Sequence, residues 1–150
     1  MIRTLHPIAG ITAFLTIFAF WTSTVAVELA GDHAEIAAVK LAILWGLIVL
    51  IPAMALAGAS GFKLGAKSAN PTIVSKRRRM PVIALNGLLV LVPCAIFLQQ
   101  RASAGAFDQT FVLVQGVELV AGALNLTLIG LSIRDGFAIT RRFAAPSQAK

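Results

Sequence analysis

The stretch FVLVQGVELVAGALNLTL, residues 111–128, is apolar enough to lie in a membrane, yet Glu118 stands in its middle. Gln115 precedes that carboxylate by three residues, and Gly122 and Asn125 follow by four and seven. Such spacings fall on one face of a helix. From a helix beginning near residue 107, Glu118 lies about 16 Å in, close to the middle of a bilayer. An acid at that depth costs at least ~2.5 kcal/mol on insertion scales, so it must face protein, either neutral or paired.

The surrounding sequence repeats the apolar run three more times. Ile8 to Val27, Leu41 to Phe62 and Met80 to Gln100 carry no charge, and 109–133 carries only Glu118. Each run reaches the ~20 residues that a helix needs to cross the hydrocarbon layer. None alternates polar with apolar as barrel strands do. With mean hydropathy +0.87 and only 13% charged residues among 150, too little polar surface exists to cover a soluble domain. The expected fold is an all-α membrane protein, a single domain spanning 1–150. Four transmembrane helices near 7–29, 36–58, 81–100 and 107–131 form an up-down-up-down bundle. Pro7 and Pro81 suit first turns, whereas Pro52 and Pro93 fall inside helices and predict kinks. A first run this long, after a lone Arg3, reads as a retained helix rather than a cleaved leader.

Charge orients the bundle. Of 13 Lys and Arg, 11 fall at the N-terminus, in a basic loop at 62–79, or after the fourth run. Only Lys40 and Arg101 fall on the opposite side, with Glu28, Asp32, Glu35 and Asp108. The positive-inside rule places both termini and the basic loop in the cytoplasm. The composition suits the inner (plasma) membrane of a bacterium. Topology thus accounts for the net charge of +7, and nucleic-acid binding is set aside. The run Lys76–Arg79 is either a topology signal with no further role or a site for anionic headgroups, each basic residue then contributing ~1 kcal/mol near the surface. The other expected partner is a second copy of the chain or a larger membrane complex. One cysteine, Cys94, excludes thiol–disulfide chemistry within the chain. No catalytic Ser-His-Asp or Cys-His set, phosphate loop or HExxH appears, so no catalytic residues are assigned.

The candidate residues form four groups. The first is the intramembrane polar set Glu118, Gln115, Asn125 and Asn86. The two asparagines lie at similar depths on adjacent antiparallel helices and can meet. This set is read either as a proton-accepting site or as polar glue in which a protonated Glu118 bonds its neighbours. The second is Glu28 with Lys40, an interfacial ion pair with Lys40 snorkelling outward. The third is Asp32, His33 and Glu35, either an outward-facing metal site or a plain acidic turn. The fourth is His6 with Met80, at one level of the basic end. His6 and His33 are a membrane span apart and cannot share one iron, but a His6/Met80 haem b, or haem shared between chains through His6, is geometrically allowed. Trp21, Trp45 and the phenylalanines of the first run line a quinone or porphyrin cavity or simply pack.

The leading expectation is a small redox membrane protein or cytochrome-like subunit carrying haem b or associated with quinone. The alternatives are a non-catalytic accessory or assembly subunit, and a proton-coupled carrier of a small solute in which Glu118 titrates. A carrier this small would need a dimer.

Overall fold

The structure, a computed structural model, describes residues 2–65 and 70–144, with side chains described except at 3 and 140–144. Lys67 and Lys150 lie outside the described residues. The described chain is all-helical. The first helix is Ile2–Ala30 and the second His33–Gly65. The third runs over Pro71–Ser103 with one π turn inside it, and the fourth is Gln109–Ala144. All four are long and apolar enough to cross a membrane. The surface agrees, since Trp45, Leu89, Val112 and Val120 are each more than 60% exposed. Large apolar side chains displayed on this scale need lipid to cover them.

Each helix extends beyond its apolar run. The third does so most, starting at Pro71 rather than at Pro81. Asn70 caps it by accepting from the Thr72 N–H at 3.0 Å, and Pro71 follows as a preorganised first residue. The basic run Lys76–Arg79 is therefore helical, and Pro81 sits inside the helix. The expected 62–79 loop shrinks accordingly, and its residues 66–69 lie outside the described residues. Hydropathy marks only where hydrocarbon ends, whereas the helix ends where its caps are.

The second helix begins at a reciprocal cap. Asp32 Oδ1 accepts from the Glu35 N–H at 2.8 Å, and Glu35 Oε2 accepts from the Asp32 N–H at 3.3 Å. Gly31 permits this fold-back, because a Cβ there would lie 2.8 Å from Glu35 Oε2. The third and fourth helices are joined through Gly105, whose φ of +67° favours glycine. Asp108 then caps the fourth helix by accepting from the Phe111 N–H at 3.0 Å. The π turn at Gly87–Leu91 ends where Val92 donates to Gly87 O, just before Pro93. Proline has no N–H to give, and a wider turn absorbs that loss as a bulge rather than a break.

Backbones touch around a ring, first to second, second to third, third to fourth and fourth to first. Among the described residues the first and third, and the second and fourth, make no close backbone approach. The core lies inside this ring. Ala13, Ile17, Ile43, Leu47, Leu50 and Ile129 form one cluster, and Ile36, Leu98, Ala102 and Phe111 form another near the acidic end. Close packing needs glycine at Gly46, where a Cβ would collide with the Phe20 ring.

The Asp108 carboxyl is held below the usual carboxylate range, first by the Arg101 guanidinium that hydrogen-bonds it and next by the Phe111 N–H. A depressed folded-state pKa contributes stability above the unfolded pKa, and that stability is lost as pH falls through the folded one. Acidification below the ordinary aspartate range should therefore fray the start of the fourth helix. Amide exchange at Phe111 and Val112 should rise there, and Asp108→Asn should show the same rise already at neutral pH.

Candidate functional site

Polar side chains enter the ring at three levels. Nearest the acidic end, Lys40 of the second helix extends to Glu118 of the fourth, with Nζ 2.6 Å from Oε2. Lys40 is 1% exposed and Glu118 is 9%. Gln115 Nε2 donates to the same Oε2 at 3.1 Å, while Gln115 Oε1 has no hydrogen-bond partner among the described residues. A small cavity of about 50 Å³, bordered by Trp21, Thr24 and Gly122, adjoins Glu118. That is room for a water molecule or two. Trp21 seals this level by donating its indole N–H to Leu119 O at 2.9 Å.

This arrangement corrects the expected Glu28–Lys40 pair. Lys40 does not snorkel outward and forms its ion pair with Glu118. Glu28 stays within electrostatic reach of both, on an exposed turn of the first helix. The helix starts explain the difference. Because the second helix begins at His33, Lys40 lies about 10 Å along it, too deep to reach water easily. Glu118 lies about 14 Å along the fourth helix, at a matching depth. In a low-dielectric interior an ammonium and a carboxylate at the same level lower each other's cost, which neither could offset alone. One Glu118 oxygen thus meets both the Lys40 ammonium and the Gln115 amide.

At the middle level Asn86 Nδ2 donates to Asn125 Oδ1 and to Ala121 O, each at 2.9 Å. Asn125, fully buried, donates to Ile83 O at 3.4 Å. The Ile83 carbonyl lies one turn before the π turn and also accepts from the Gly87 N–H. The structure thus brings Asn86 to Asn125 and Gln115 to Glu118, and sets the two pairs on separate levels.

The third level lies at the basic end. His6 Nδ1 is 3.1 Å from Ala57 O and 3.0 Å from Ser60 Oγ. A carbonyl only accepts, and the Ser60 hydroxyl already donates to Leu56 O. Nδ1 therefore carries the proton, and Nε2 of the neutral ring keeps the lone pair. Met80 stands beside it. Both His6 Cε1 and Met80 Sδ lie within 3.2 Å of the point a Gly61 Cβ would occupy. These two residues, from the first and third helices, line a cavity of about 880 Å³ that opens between helices. Gly10 and Gly58, also on its wall, face open space where a Cβ would stand. Lys76 and Arg77 complete the lining on the basic side.

One residue at this end escapes the sequence reading, and Lys76 enters it only as part of the basic run Lys76–Arg79. Asp135 is 8% exposed and accepts from Arg79 at 2.7 Å and Arg134 at 3.3 Å. Its one signal is an acid placed among arginines just past the fourth apolar run. Lys76 gives no signal beyond its basic neighbours.

The acidic turn is not assembled for metal. Asp32 and Glu35 cap each other's backbone, and His33 stacks on Phe107 with centroids 4.1 Å apart. Among the described residues no group of three or more His, Cys, Asp or Glu converges as metal ligands. Each carboxylate spends one oxygen on the reciprocal cap, and the imidazole lies flat on the Phe107 ring.

No family model, curated protein or solved structure matches this chain.

Removing one member of the buried pair should cost more than removing both. Lys40→Met or Glu118→Leu alone should each destabilise the bundle by ~3–5 kcal/mol, by leaving a buried charge unpaired, and the double variant should recover most of that loss. Equilibrium unfolding in mixed micelles gives the cycle directly.

Proposed function

We propose that the chain is a small redox protein, or a redox subunit, of a membrane, and that it holds haem b or a quinone in the cavity at its basic end. One observation carries the reading. His6 commits Nδ1 to Ala57 O and Ser60 Oγ, which leaves Nε2 as the ligating nitrogen, and the Met80 thioether stands next to it on the same cavity wall. A histidine whose second nitrogen is fixed by a carbonyl is the usual form of an iron ligand. The cavity's volume of about 880 Å³ lies in the range of cofactor and ligand pockets. His6 and Met80 would hold haem b, which would supply one-electron chemistry. A quinone would instead take hydrogen bonds from the same polar wall.

The orientation follows from charge. With 11 of 13 basic residues at the His6 end, that end belongs in the cytoplasm, both termini included. A bacterial inner membrane is the proposed location, with anionic headgroups at Lys76–Arg79. Electrons must then come from or go to a second copy of the chain or a larger membrane complex.

The Lys40–Glu118 pair favours a second reading, an accessory or assembly subunit whose intramembrane polar residues are structural glue. It also weighs against Glu118 as the free titrating group of a proton-coupled carrier, because titration would strand Lys40.

The deciding experiment is a reduced-minus-oxidised absorption spectrum of the detergent-purified protein, expressed with ample haem supply. A b-type signal is expected, lost in His6→Ala and shifted in position or potential in Met80→Ala. A colourless protein that also fails to bind a quinone analogue would leave the accessory reading.

A further inference from the structure

We infer that the cavity at the basic end selects an anionic amphiphile, an apolar body with an acidic head, and that Lys76 receives the head. The inference rests on this cavity being a ligand site, as proposed above, but does not depend on iron. Its lining holds two cationic side chains, Lys76 and Arg77, and no aspartate or glutamate. The rest is largely apolar, with Ile83, Ile129, Ile133 and Phe137 among the walls.

Lys76 is the telling residue. It is only partly exposed, and its Nζ stands against Gly136, 3.4 Å from where a Cβ would be. Among the described residues it makes no ion pair. The acid on the adjoining turn, Asp135, interacts with it electrostatically but is bonded by Arg79 and Arg134. A partly buried ammonium beside an apolar cavity is costly until an anion joins it. A neutral quinone head offers an acceptor without charge, whereas a carboxylate or phosphate offers both. Porphyrin diacids, fatty acids and acidic phospholipids share that chemistry, and their apolar bodies match the walls.

Metal-free protoporphyrin IX and its dimethyl ester make a probe pair that differs in head charge and needs no axial ligand. Binding to the full-length protein in a zwitterionic detergent is read by porphyrin fluorescence. The diacid should bind about tenfold or more tightly than the diester, the effect of one charge-assisted contact. Lys76→Gln should remove most of that preference and Lys76→Arg should keep it. Displacement of the diacid by phosphatidylglycerol but not by phosphatidylcholine would extend the site to lipid phosphate. Displacement by neither would confine it to carboxylates.

Equal affinity for diacid and diester, no measurable binding of either, or equal loss in Lys76→Gln and Lys76→Arg would overturn the inference. Because the probe contains no iron, a preference for the diacid in a protein without haem would retire the haem reading and leave this one standing. A haem spectrum without that preference would do the reverse.

Discussion

The bundle depends on one contact that its backbone does not make. The second and fourth helices lie on opposite sides of the ring, with no close backbone approach among the described residues, yet Lys40 and Glu118 close the distance between them with a 2.6 Å ion pair. A long, flexible ammonium side chain is what such a span requires. The pair sets the rotation of both helices at once, since a turn of either would leave a bare charge among hydrocarbon. Trp21, Gln115 and the small residue Gly122 are arranged around that point. The indole packs where a Cβ on Gly122 would lie 3.0 Å from its ring. Specificity of this kind matters more in a membrane than in water, because apolar helices gain little from burying apolar surface against one another when lipid is equally apolar.

The two ends are built on opposite terms. At the acidic end Lys40 and Glu118 are drawn inward and matched, and the cavity left over is about 50 Å³. At the basic end the glycines at 10, 58, 61 and 65 thin the helices, and the cavity there is about 880 Å³. Charge is matched there too, but at the rim, where Arg79 and Arg134 share Asp135.

The four spans were legible in the sequence because hydropathy over twenty residues is a sum, insensitive to any one side chain. The intramembrane set was legible for the opposite reason, since Glu118, Gln115, Asn86 and Asn125 are rare residues in a run of common ones. Lys40 was misjudged because depth is counted from a helix start, and the cap at Asp32 moved that start by three residues. A charge near an apolar boundary cannot declare which way it turns until its partner's depth is known. The acidic turn misled because capping and metal binding draw on the same residue types. The cavity was invisible, since it consists of missing side chains on three helices that come together only in the fold. His6 and Met80 could be placed at one level by counting, but Gly61, which lets them meet, looked like any other glycine of a loop.

The diagonal pair also bears on how the chain is made. Helices enter a membrane in the order of synthesis, and the second emerges 78 positions before Glu118 does. Through that interval Lys40 has no counter-charge at its own depth, so the half-finished protein is held by an unpaired ammonium. The second helix must then ride high in the bilayer, remain with the insertion machinery, or borrow another acid such as Glu28 until the fourth arrives. Chains cut short before residue 118 would expose that ammonium permanently, marking them as incomplete to any quality-control protease that samples the membrane.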